Sequence, residues 1–306
     1  MKVLNYTKNR ILYLLVPVAI IIAGIVMYFV HGGFNFDIEF MGGIRMQVNM
    51  NASFDNDEVV SLIKEKNDLT VTVQKSGDGT QAIIKTEDIE EQKKDEIFAT
   101  LKEAYSLPDD APMSVSSASA SFGQETQRKA FLFTFIAIVC ILAYIAIRFE
   151  VRSAVMAVLA LLINVLVMLG VYAITNIPLN TTFIAAMLTV VGYSINNTIV
   201  IFDRIRENAK SIRAKKGQTY TDMVDRSISE SMGRTINSTL TTLITIVLLY
   251  FIGVAAIKEF ALPLIIGILA GAYTSIFFAG PFWGVWKEAD RKAKEEAARA
   301  GKAKKK

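Results

Sequence analysis

The sequence predicts an α-helical membrane protein: six transmembrane helices and one extracytoplasmic α+β domain of ferredoxin-like arrangement. Three observations predict it. Apolar residues gather in blocks of about 20, the length that crosses a bilayer core. Basic residues fall in alternate gaps between those blocks. One long polar segment carries strand and helix patterns in the order β-α-β-β-α-β.

The chain of 306 residues is 52% hydrophobic with a mean hydropathy of +0.38, above the roughly 45–50% of soluble domains. Residues 1–10 form a short basic N-terminus, with Lys2, Lys8 and Arg10. Residues 11–30, ILYLLVPVAIIIAGIVMYFV, carry no charge and read as the first transmembrane helix. The run is longer than a signal-peptide core, and no Ala-x-Ala site follows it, so an uncleaved anchor is expected. Five more apolar runs follow at about 131–147, 154–174, 181–202, 236–256 and 260–283. Lys258 and Glu259 lie between the last two, which implies a tight hairpin centred there.

Between the first two spans, residues 31–130 read as a folded domain. IRMQVNM (44–50) alternates like a strand, and residues 55–66 place Val59, Leu62, Ile63 and Lys66 along one side of a helix. LTVTVQK (69–75) and TQAIIKT (80–86) read as a hairpin around residues 76–79. Residues 88–105 read as a second helix with Ile89, Ile97, Leu101 and Tyr105 as its apolar side, and 113–119 as a last strand.

Charge sets the expected topology. Arg148 and Arg152 flank the gap after the second span, and the loop 203–234 carries Arg204, Arg206, Lys210, Arg213, Lys215, Lys216, Arg226 and Arg234. The tail 284–306 is also basic, whereas residues 175–180 hold no charge. With six spans, every basic segment lies on the side of the N-terminus, so both termini are expected in the cytoplasm. The tail is expected to be drawn to anionic lipid.

The composition excludes several classes. One cysteine, Cys140, and one histidine, His31, cannot build an intrachain disulfide, a multi-Cys metal site or a His-rich zinc site. Cys140 reads as a small buried hydrophobe and His31 as an interfacial residue. No Walker loop, dinucleotide fingerprint, HExxH or GxSxG motif is present. No enzyme activity, cofactor or bound metal is expected.

Polar residues inside the spans are the candidate functional residues, because they are costly in a bilayer. The fourth span holds Gly192, Tyr193, Ser194, Asn196, Asn197 and Thr198. Tyr193 and Asn197 share a helix face with Thr189, and Gly192 and Asn196 form a neighbouring face where another helix has room to approach. The fifth span opens with Arg234, followed by Asn237, Ser238, Thr239, Thr241, Thr242 and Thr245. Two readings stand open for these residues: an ion pathway, or hydrogen bonds that only hold helices together, with Arg234 snorkelling to the headgroups. Asp203 and Arg204 read either as an interfacial salt-bridge cluster or as a contact with a partner. Asp37, Gly42 and Gly43 read as a structural turn, with a hinge as the alternative.

Three stretches resemble the SecD/SecF family of bacterial protein-export membrane proteins, in the RND superfamily. FDIEFMGGIRMQV (36–48), which contains Asp37, Gly42 and Gly43, resembles the family's D-F-x-G-G segment. GYSINNTIVIFDRIREN (192–208) is similar to the family signature GYSINDTIVVFDRIREN, which takes in Gly192, Asp203 and Arg204. RTINSTLTT (234–242) resembles the family's opening of span 5. The resemblance implies one six-helix half of an RND-type bundle that pairs with a SecD-like six-span partner and serves the SecYEG channel in the cytoplasmic membrane. It implies an ion gradient driving the export of a translocating polypeptide, with Asn197, Arg234, Tyr193, Asn196 and Thr239 on the ion pathway. One departure stands out: Asn197 occupies the place of the family's Asp, and an amide carries no proton in this pH range. The coupling carboxylate is then expected from the partner, and the coupling ion, proton or sodium, stays open. The rival expectations are an exporter half for small molecules or lipids, and a structural assembly factor without ion coupling.

Overall fold

A computed structural model describes residues 5–76, 79–86, 89–108, 113–148, 150–212 and 219–303. The chain divides into two compact units. One comprises Asn35–Thr134 with Pro178–Thr182; the other comprises Met1–Phe34, Phe135–Ile177 and Phe183–Lys306.

The first unit begins with a short helix, α2 (Ile38–Met41), after the α1 span (Arg10–Val30). It continues as β1 (Gly43–Asn49), α3 (Asn56–Asn67), β2 (Thr72–Ser76), β3 (Gln81–Thr86), α4 (Glu91–Tyr105) and β4 (Met113–Ala118). The strands form one antiparallel sheet in the order β2-β3-β1-β4, the ferredoxin-like topology. Alternation decides which face is covered. Ile44, Met46 and Val48 of β1 and Ala82 and Ile84 of β3 meet Val59 and Ile63 of α3 and Ile97 and Leu101 of α4, all fully buried. Asp55 starts α3, its carboxylate accepting from the amides of Asp57 (2.9 Å) and Glu58 (3.3 Å). β2 starts three residues later than the alternation of 69–75 suggests, although Val71 still packs into the core. Residues 77 and 78 of the expected turn, and residue 88, lie outside the described residues.

Six helices among the described residues are long and apolar enough to cross a membrane. They are α1, α5 (Ala120–Arg148), α6 (Val151–Thr175), α7 (Thr181–Ile212), α8 (Tyr220–Ile252), and α9 (Ala255–Thr274) with its continuation. α9 passes through a π-helical turn, Ser275–Ala279, into α10 (Gly280–Ala303). α7 and α8 extend well beyond their apolar runs into the basic segment 203–234, whose residues 213–218 lie outside the described residues. The hairpin between the last two spans turns at Gly253 and Val254, so Lys258 and Glu259 sit in the first turns of α9 rather than in a loop.

Small residues let α1 and α6 approach closely. A Cβ on Gly24 would lie 2.4 Å from the Gly170 Cα, so no side chain fits there. Pro17 lies inside α1 and has no amide hydrogen to offer the Tyr13 carbonyl. The Tyr273 hydroxyl of α9 donates to that carbonyl instead (2.7 Å). α6 and α7 bury an almost continuous stripe, while α1, α5 and α8 show apolar surface outward. Cys140 therefore departs from expectation. It is exposed on α5, because the apolar run around it forms an outer surface and not a core. The His31 Nδ1 lies 3.1 Å from the Ala173 carbonyl and links the ends of α1 and α6.

Candidate functional site

α7 carries polar side chains on three sides, and each side meets a different environment. The first side meets α8. The Tyr193 hydroxyl donates to the Ser238 carbonyl (2.9 Å) and contacts Thr242 Oγ1 at 3.2 Å. Asn197, only 2% exposed, reaches Thr239 Oγ1 at 3.5 Å, a long contact at the limit of hydrogen bonding. Three of the predicted residues, Tyr193, Asn197 and Thr239, are thus brought together. Much of the remaining hydroxyl density satisfies its own helix. Thr241, Thr242 and Thr245 donate to the carbonyls of Asn237, Ser238 and Thr241.

The second side meets α6 and the π-helical turn. Asn164, fully buried, stands between Ser194 Oγ (2.6 Å) and Thr274 Oγ1 (2.6 Å). With its amide oxygen toward Ser194, its nitrogen also reaches the carbonyls of Ala270 (3.2 Å) and Ala160 (3.3 Å), which satisfies every polar atom of the side chain; that orientation has the better network. Thr198 Oγ1 and Ser275 Oγ pair at 2.8 Å, and Ser275 opens the π-turn. Ser194 and Thr198 stand out in the sequence of the fourth span, whereas Asn164, Thr274 and Ser275 do not. The available signal was a lone amide within the apolar run LLINVL.

The third side faces outward. Gly192 and Asn196 on α7 and Arg234, Asn237, Ser238 and Thr241 on α8 are exposed, and a Cβ on Gly192 would meet nothing within 4 Å. Among the described residues, none fills the approach that Gly192 offers. Toward the far end of α7, Asn196, Asp203, Arg204, Glu230 and Arg234 line a cavity of about 630 Å³. Within it, Arg204 pairs with Glu230 (2.7 Å) and Glu207 (2.6 Å), and Asp203 pairs with Arg206 (3.0 Å). Glu230 also accepts from Arg226 (2.8 Å) and Asn208 (2.9 Å). Among the described residues Arg234 has no hydrogen bond or ion pair. A guanidinium stays charged at any relevant pH.

Asp37, Gly42 and Gly43 belong to the ferredoxin-like unit. Gly42 (φ 82°) and Gly43 (φ 116°) take backbone angles that side chains disfavour, and they turn the chain from α2 into β1. Asp37 does more than turn. It is 2% exposed and holds Lys85 Nζ at 2.6 Å and Arg45 Nη1 at 3.5 Å. Arg45 and Lys85 face each other across β1 and β3, and Asp37 offsets two like charges that would otherwise repel. Among the described residues no group of three or more His, Cys, Asp or Glu is placed to hold a metal.

Fold and site together define a class: a multi-pass helical membrane protein with a ferredoxin-like domain between its first two spans and a polar helix pair within the bundle. The particular family follows from sequence. Residues 98–289 match the family described as protein export membrane protein SecD/SecF, C-terminal, and the chain belongs to that family. It is 36% identical to the protein translocase subunit SecF of Alicyclobacillus acidocaldarius, covering 95% of this chain and 94% of that protein. It is 31% identical to the protein translocase subunit SecDF of Bacillus subtilis over 96% of this chain and 39% of that longer one. The crystal structure of SecDF from Thermus thermophilus, titled a translocon-associated membrane protein, superposes with a TM-score of 0.81 at 27% identity, covering 94% of this chain and 39% of that chain.

Proposed function

We propose that the chain is the SecF-type half of an accessory complex of the Sec protein translocase, working with a SecD-like partner to promote ion-gradient-driven polypeptide export. One observation carries this reading. The exposed edge of Gly192, Asn196, Arg234, Asn237 and Ser238 offers polar groups and an unpaired guanidinium where lipid tails offer nothing in return. A six-helix partner supplies what the edge lacks. In the SecDF relatives a single chain is more than twice as long, and the present chain spans 39% of it. In this reading the chain lies in the cytoplasmic membrane with both termini inside, and the ferredoxin-like domain lies outside. The partners are the SecYEG channel and the translocating polypeptide.

The coupling step is then divided between the halves. The partner brings the carboxylate that takes up and gives up the proton, and Arg234 tunes it by stabilising the charged form. Tyr193, Asn196, Asn197 and Thr239 supply neutral donors and acceptors for water or a cation beside it. Asn197 itself holds no exchangeable proton in this range. A structural assembly factor without ion coupling is the second reading, favoured by the same amide. The test is crosslinking in native membranes with Asn237→Cys in a Cys140→Ser background. An adduct with the SecD-like subunit is expected; its absence, with both subunits present, counts against a partner at this edge.

A further inference from the structure

We infer that the groove between α1, α6 and α9 is a binding site for one acyl chain of an anionic phospholipid whose headgroup lies at Arg10. All three helices belong to the helical unit, and the inference does not rest on the export reading. The groove encloses about 280 Å³. Val16 and Pro17 of α1, Val167 and Val171 of α6, and Ala270 and Thr274 of α9 line it. The side chains that meet there are short, so the helices leave a space that none of their own atoms fills, and the lining lacks contacts on that side. Pro17, Val167 and Thr274 are buried at its floor, whereas Val16 is 50% exposed at its rim.

The lining admits hydrocarbon and little else. Pro17 has no amide hydrogen, and the Tyr13 carbonyl that it leaves free accepts from the Tyr273 hydroxyl (2.7 Å). The Thr274 hydroxyl is engaged by Asn164 inside the bundle (2.6 Å). Water therefore finds no polar partners there. The surroundings decide the occupant. Each of the three helices is long and apolar enough to cross a membrane, so lipid chains are the solvent of this face. The groove is elongated. Along α9 it runs from Ile266 to Thr274, eight residues or roughly 12 Å at 1.5 Å per residue. Its volume over that length leaves the width of one hydrocarbon chain, far less than the roughly 10–12 Å of a helix with its side chains. Charge supplies the headgroup contact. Arg10 begins α1 six residues before Val16, roughly 9 Å along the axis. Its Nη1 donates to the Thr7 carbonyl (2.9 Å), and among the described residues it makes no ion pair. Lys8 is exposed two residues earlier. A guanidinium binds phosphate as a fork, and a lipid held there lays its chain past Val16 and Pro17.

The test places the full chain, alone and with its SecD-like partner, in phosphatidylcholine vesicles. The probe is phosphatidylglycerol, or phosphatidylcholine, with a photoreactive diazirine midway along one acyl chain. Adducts are mapped by mass spectrometry to peptides of α1, α6 and α9, with α5 as the reference for ordinary lipid contact. The groove peptides are expected to label about fivefold more from phosphatidylglycerol than from phosphatidylcholine, the preference that one basic residue near the surface confers. The α5 peptides take both probes equally. Arg10→Gln abolishes the preference and keeps the labelling by phosphatidylcholine. Val16→Phe closes the rim and lowers groove labelling about fivefold at wild-type melting temperature, a change that lost stability would not produce. Equal labelling of the wild-type groove by the two lipids overturns the inference, as does groove labelling no stronger than that of α5. Unchanged labelling in Val16→Phe overturns it as well. If Val16→Phe does not accumulate, Ala270→Leu fills the groove from α9, and unchanged labelling there is equally decisive. Labelling of the chain alone that disappears in the complex would assign the groove to the partner and not to a lipid.

Discussion

The Tyr193 hydroxyl donates to the Ser238 main-chain carbonyl at 2.9 Å, an oxygen that also accepts from Thr241 and Thr242 within its own helix. Tyr193 is therefore the side chain that ties α7 to α8 through the backbone, and its bond survives any change of side chain at position 238. Tyr193→Phe is expected to lower stability by only about 0.6 kcal/mol, the average for hydrogen bonds between membrane helices. Thermal unfolding in detergent measures the loss. A drop of several kcal/mol would mean that the ring, not the hydroxyl, holds the helices.

Asp37→Asn is expected to act much more strongly. It removes the buried carboxylate charge that pairs with both Lys85 and Arg45 between β1 and β3. Breaking a buried pair by removing one partner costs about 3–5 kcal/mol. Limited proteolysis of the full chain in membranes, read at the ferredoxin-like domain, should show faster cleavage. Unchanged protease resistance would show the ion cluster to be dispensable.

Asn164→Ala removes the amide that joins α6, α7 and α9. Ser194 and Thr274 can turn their hydroxyls to their own helices, as Thr274 already does toward Gly271 (3.3 Å). The expected cost is therefore about 0.5–1.5 kcal/mol, the net worth of a hydrogen bond whose partners find others. Asn164→Leu should not recover it, since the helices pack so closely beside the site that even a Cβ on Gly271 would lie 2.8 Å from Ser194 Oγ. Melting temperatures of the two variants check both statements.

Gly24→Val is expected to separate α1 from α6 because the added carbon atoms meet the Gly170 backbone. Overpacking of this kind costs about 1–3 kcal/mol. Reduced accumulation of the chain in membranes, recovered in part by lower temperature, is the expected readout; wild-type accumulation would show that the helices re-space freely.

The spans and the βαββαβ order were legible because each rests on a local pattern: 20 apolar residues in one case, alternation and helical spacing in the other. The helix ends were less so. α7 and α8 continue past their apolar runs because pairs such as Arg204–Glu207, Asp203–Arg206 and Arg226–Glu230 support a polar helix at three- and four-residue spacing. Cys140 was misplaced because an apolar neighbourhood in sequence marks a lipid-facing or partner-facing surface as readily as a core. The residues singled out on α7 and α8 do meet in space at Tyr193, Asn197 and Thr239, as a shared helix face requires. Asp37 was legible only as a turn, since its partners depend on the register that sets Arg45 opposite Lys85.

The most direct measurement is depletion of the chain in its host, followed by pulse-chase of a secreted precursor, with recovery by wild-type or Arg234→Ala protein. Slowed processing that the wild type restores, and that Arg234→Ala fails to restore at equal abundance, is the predicted result. Normal processing throughout depletion, with altered sensitivity to drugs or lipids instead, would contradict the export role and point to a small-molecule exporter.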